Sequence, residues 1–217
     1  GWCDYMVELE FFKSMPEGIR KDAWFLTKVT MTGQERNPET GRYPLLNWDD
    51  PATNQKHPYW KKNIESSDWV FNYDDGYYET KGISSASGKT RMIFRYADIL
   101  LLYAEAVAYG TKSIDDLAFD CMWRVQERAG VPLISKDVTK EYFQKAVLDE
   151  RRWETAGMEH SCMGRFFTMQ RHEILHLQKN YRDAAELSLN SNLTLSEEFY
   201  YFPIPDNELL IVPGLKD

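Results

Sequence analysis

The segment "RYADILLLYAEAVAYG" (residues 95–110) limits the fold more than any other stretch of the chain. Tyr96, Ile99, Leu100, Tyr103, Ala106 and Val107 fall at helical spacing. Leu101 and Leu102 widen that apolar face, so the spacing predicts a helix largely enclosed by other elements. Gly110 suits its C-terminus. "SIDD" (Ser113 to Asp116) has a capping-box pattern and predicts a second helix from Ile114 to Arg128, closed by Gly130 and Pro132. The short link makes the two an antiparallel hairpin. A third helix is expected from an N-cap at Thr139 to Gly157, with Tyr142, Phe143, Ala146, Val147 and Trp153 as its apolar positions. A fourth should cover "GRFFTMQRHEILHLQKN", residues 164–180. After a polar stretch, the prolines in "FYYFPIPDNELLIVP" predict an extended closing segment. Residues 1–90 show little periodicity and many turn signals, among them "SMPEG", "RNPETGRYP", "NWDDPATNQ" and "YDDGYY". "AWFLTKVTM" has the composition of strand. The expected fold is mainly α with long irregular loops and a few short strands.

A hydrophobic content of 43% permits a substantial core, and a net charge of −8 argues against a general nucleic-acid binder, which needs clustered Lys and Arg. The three cysteines, Cys3, Cys121 and Cys162, contain no C-x-x-C pair, which speaks against a cysteine zinc site. Cys121 reads as a small core residue. No apolar run reaches the length of a membrane span. The opening "GWCDYMVELEFF" resembles no signal or lipid-attachment segment, and the chain is expected to be a piece or processed form of a longer protein.

Three groups of residues carry candidate chemistry. "HEILH" (His172 to His176) fits the H-E-x-x-H zinc helix, in which two histidines four apart chelate and Glu173 acts on metal-bound water. Such a site needs a third ligand. No histidine follows His176, and Glu197 or Glu198 qualifies by distance alone. Asp98 and Glu105 share a helix face roughly 10 Å apart along the axis, too far for a retaining glycosidase pair. On so apolar a helix they read as structural ion pairs with Arg95, Arg124, Arg128, Arg151 or Arg152. Aromatic loops form the third group: "NWDD", "PYWKK" and "DWVFNYDDGYY" mix Trp and Tyr with Asn and Asp. Sugar recognition needs that mixture, because pyranose C–H faces stack on aromatic planes while amides and carboxylates bind the hydroxyls. The candidate ligand-binding residues are Trp48, Trp69, Asn72, Tyr73, Asp74, Tyr77 and Tyr78. The plainer reading of each aromatic is that it anchors a loop to the helices.

The ordered motifs of the helical half resemble the SusD/RagB family. "RYADILLLYAEAVAYG" is similar to its R-x-A-D/E-x-x-L-x-x-A-E-A helix, "RVQERAGVP" to its R-x-R-A-G-L-P turn, and "LDERRWETA" to its I-x-x-E-R-R-x-E-L segment. "GRFFTMQRHEIL" is similar to G-x-R-F-F-D-L-x-R-W, and "FPIPDNELLIVPGLKD" to P-I-P-x-x-E-x-x-x-N-P. The earlier "PEGIRKDAWF" resembles a D-x-R-K segment, and "PYWKK" a packing segment that makes Trp60 structural. Departures are the insertion "TAGMEHSCMG", Val212 in place of Asn, and His172 where the family has Trp. The resemblance implies a surface nutrient-binding lipoprotein of the outer membrane, held there by an N-terminal lipid anchor not present in this chain. It also implies a further N-terminal half bearing most of the tetratricopeptide-like helices. Such a protein captures an oligosaccharide, or a peptide in some members, and passes it to a SusC-like TonB-dependent transporter, with no cofactor or bound metal and no catalysis. Residues 1–90 would then form part of the ligand face and residues 91–217 the helical region of one continuous domain. Two other readings stand beside this one: a zinc hydrolase built on HEILH, and a tetratricopeptide-like adaptor that binds peptides in a helical groove with its aromatic loops packed inward.

Overall fold

The structure is a computed structural model, and it describes residues 7–30, 35–53, 56–61, 69–72, 77–80, 93–157, 159–174, 204–212 and 214. It is mainly α-helical with short two-stranded ribbons. In chain order come α1 (Leu9–Ser14), α2 (Ile19–Trp24), β1 (Phe25–Leu26), β2 (Lys28–Thr30), β3 (Leu45–Asn47), β4 (Tyr59–Trp60), β5 (Trp69–Asn72) and β6 (Tyr77–Thr80). Then follow α3 (Tyr96–Tyr109), α4 (Asp116–Ala129), α5 (Lys140–Thr155), α6 (Glu159–Arg171) and α7 (Asp206–Ile211). The strands pair antiparallel as β1–β4, β2–β3 and β5–β6. "AWFLTKVTM" supplies β1 and β2 as its composition predicts. The helices α1 and α2 were not expected: each is only 6 residues, too short for periodicity to reveal.

Helix α3 packs against both α4 and α5 and forms the centre of the main core. Its buried face is Ala97, Leu101, Ala104, Glu105 and Ala108, whereas Tyr96, Ile99 and Tyr103 of the expected face stay exposed. The reason is distance. Two neighbouring helices come close to one axis where side chains are small, and Ala97, Ala104 and Ala108 along that face give the approach. From α4, Ala118, Phe119, Cys121, Met122 and Val125 join this core, and from α5 Phe143 and Val147. The rings of Phe119 and Phe143 meet edge to face at 4.8 Å.

The helix ends follow local chemistry. The N-cap of α4 is Asp115, whose carboxylate accepts the Ala118 N–H at 2.8 Å, so the helix starts two residues later than Ser113 would have set it. Gly130 ends it at φ 69°, the left-handed conformation that glycine adopts without strain. Thr139 caps α5 as predicted, accepting the Tyr142 N–H at 3.2 Å. The closing segment holds α7 where an extended strand was expected. Pro205 stands at its N-cap, where no N–H is needed and its carbonyl accepts the Glu208 N–H at 2.9 Å, and Asp206 and Glu208 favour the first turn.

A second, aromatic core lies under the N-terminal residues. Val7, Phe11, Met15 and Phe25 are buried there, with Phe12, Trp24, Trp60, Trp153 and Ala156 against them. Trp153 and Ala156 belong to the end of α5, so this core sits on the helical scaffold. Gly18 at the start of α2 lies so near the end of α4 that an added Cβ would stand 2.7 Å from the Gly130 carbonyl oxygen.

Candidate functional site

Trp48 leaves β3 in a turn that is closed by its own backbone. Its N–H donates to the Thr27 carbonyl at 2.8 Å, and its carbonyl accepts from Thr53 Oγ1 at 2.8 Å. Asp50 Oδ1 accepts the Ala52 N–H at 2.8 Å, which uses the carboxylate as a turn lock. The half-buried indole meets Phe12 edge to face at 5.8 Å. Trp48 therefore anchors its loop to the aromatic core. Trp60 does the same, 5.2 Å from Phe25 and 6.3 Å from Phe11 between ring centroids.

The remaining candidates lie on the β5–β6 ribbon. Its register is Trp69 with Thr80, Val70 with Glu79, Phe71 with Tyr78 and Asn72 with Tyr77. Tyr73 and Asp74 lie outside the described residues. The ribbon thus brings Asn72 and Tyr77 together as a cross-strand pair and carries Trp69 and Tyr78 on the same two strands, whereas Trp48 belongs to a different ribbon end, beside β2–β3.

HEILH does not form the continuous helix that chelation demands. Helix α6 begins at Glu159, five residues before the expected start, and stops at Arg171. Glu173 takes φ 56°, the Glu173 N–H bonds the Gln170 carbonyl at 3.0 Å, and the Ile174 N–H bonds the Met169 carbonyl at 2.9 Å. That is a Schellman stop with a non-glycine residue in the left-handed position. His176 lies outside the described residues, and among the described residues no group of His, Cys, Asp and Glu is placed to hold a metal. A left-handed glutamate carries strain of about 1–2 kcal/mol that glycine avoids. Glu173→Gly is expected to raise stability by about 0.5–1 kcal/mol, net of glycine's greater freedom in the unfolded chain, read as a higher urea midpoint.

His172 instead closes an ion cluster. Its Nε2 lies 2.7 Å from Glu105 Oε1, and its ring packs on Tyr109 at 3.9 Å between centroids. Glu105 also pairs with Arg171, and with Arg151 Nη1 at 2.6 Å. The expectation of internal ion pairs holds for Glu105, while Asp98 pairs locally with Arg95 at 3.2 Å and its other oxygen accepts the Arg95 N–H. Arg124 and Arg152 turn instead to Asp120 and Asp149 on their own helices.

A second cluster involves carboxylates that the motif reading passed over. Arg20 of α2 is buried against Glu150 and Glu154 of α5, at 2.5 and 3.2 Å. Glu154 also accepts from Arg95 at 2.9 Å and from Arg128 at 2.6 Å. The available signal was the pairing of Glu150 and Glu154 at i and i+4 beside Trp153 on a buried helix, since charges at such positions need partners.

Glu105 and Glu150 respond oppositely to acid. Burial pushes the Glu105 carboxyl up, but the Arg171 hydrogen bond, the Arg151 charge and the His172 bond together bring it below its ordinary value. A depressed folded pKa stabilises the fold above the unfolded value, and that contribution is lost as pH falls through the folded one. Glu150 is raised by burial, with Arg20 opposing and Glu154 adding to it. Its contribution is therefore present at low pH and fades as pH rises through the folded value. Urea midpoints between pH 7 and pH ~3.5 should fall less steeply in Glu105→Gln than in the wild type, and more steeply in Glu150→Gln.

The arrangement is a charge-stapled helical scaffold carrying aromatic ribbons. Comparisons with curated proteins and with solved structures gave no match. The model of the SusD family matches residues 13–217. That span takes in the main core, both ion clusters and the aromatic ribbons, and the chain belongs to the SusD family.

Proposed function

We propose that this protein grips an oligosaccharide at the extracellular face of the outer membrane without breaking any bond in it. The ligand is then passed to a SusC-like TonB-dependent transporter, and a lipid anchor N-terminal to this chain holds the protein to the membrane. The carrying observation is the family match over residues 13–217, which supports a glycan-binding role in nutrient uptake. Members of the family are generally non-catalytic binding proteins of the outer-membrane surface, which supports the same reading.

Residues 1–90 supply part of the ligand face and residues 91–217 the helical region behind it. Trp69, Tyr73, Tyr77 and Tyr78 stack on sugar rings, with Asn72 and Asp74 binding hydroxyls. Trp48 belongs to the same proposed set, its loop set by the contact with Phe12. A glycan array probed with the intact protein tests the proposal. Binding to a defined class of glycan is expected, and Trp69→Ala should weaken it roughly two- to tenfold, the weight of one aromatic stacking contact. An array with no bound glycan would contradict it.

One observation favours a second reading, the peptide-binding adaptor. Trp48 and Trp60 both pack toward the core, as that reading requires of the aromatic loops. Under it, ligand binding would be insensitive to the Trp69 and Tyr78 substitutions and sensitive to changes along α3. Stoichiometric zinc that is lost in His176→Ala would contradict both readings and restore the hydrolase.

A further inference from the structure

We draw no further inference here: the strongest candidate, the stripe of α3 that leaves Tyr96, Ile99, Leu102 and Tyr103 exposed, is an unpartnered apolar face, and nothing in the structure shows what covers it.

Discussion

Glu154→Ala should be the most damaging single change in the scaffold, lowering stability by about 3–5 kcal/mol. Glu154 is buried and accepts from three guanidiniums brought by three different elements: Arg20 on α2, Arg95 before α3 and Arg128 on α4. Arg20 is itself buried. Removing the carboxylate leaves it facing Glu150 alone and takes from Arg95 its ion pair across the helices. The penalty is the desolvation of cations left in place, which exceeds the net value of the pairs themselves. For a chain of this size the expected fall in melting temperature is on the order of 10 °C. Glu154→Gln keeps the shape and one acceptor oxygen and should recover part of the loss. A fall of under about 1 kcal/mol for the alanine variant, comparable to an exposed ion pair, would show that the cluster is solvated.

Gly157→Ala should cost about 2–5 kcal/mol, from two separable causes. Gly157 has φ 65°, where an L side chain carries about 1–2 kcal/mol of strain. Its Cβ would also stand 2.5 Å from Trp60 Cε3 and 2.7 Å from Cζ3, inside any tolerable contact. Trp60 cannot retreat easily, because Phe11 and Phe25 lie behind it. Overpacking of this kind costs about 1–3 kcal/mol. Trp60→Leu in the same chain should remove the steric part and leave the backbone part, so a double-mutant cycle should give a coupling of at least about 1 kcal/mol. Additive effects would mean that the indole moves aside freely.

Much of the helical scaffold was legible because its signals are local. Thr139 marks a helix start through its side-chain oxygen and Gly110 and Gly130 mark helix ends, and the structure uses each of them as such. The buried face of α3 was not legible in the same way. Two stripes of helical spacing coexist there, one of large residues and one of alanines, and only the presence of helices on both sides selects the small one. HEILH shows the converse limit. The histidine spacing is local, but the stop at Arg171 depends on Glu105 and Tyr109 holding His172 from another helix. Arg20 finds its partners 130 and 134 residues away, so no window of sequence joins them. Of the candidate ligand residues, Trp48 illustrates why composition alone cannot separate a stacking surface from a loop anchor: both need a flat apolar ring, and the position of Phe12 decides.

The proposed function is passive capture of glycan by Trp69, Tyr77 and Tyr78 of the β5–β6 ribbon. Native affinity electrophoresis of the intact protein through gels containing polysaccharides tests it most directly, with Trp69→Ala and Tyr78→Ala run alongside. Retardation by at least one polysaccharide is predicted, weakened in both variants, with the polysaccharide's chain length unchanged after the run. Migration that no polysaccharide slows, or retardation that both substitutions leave intact, would contradict the claim.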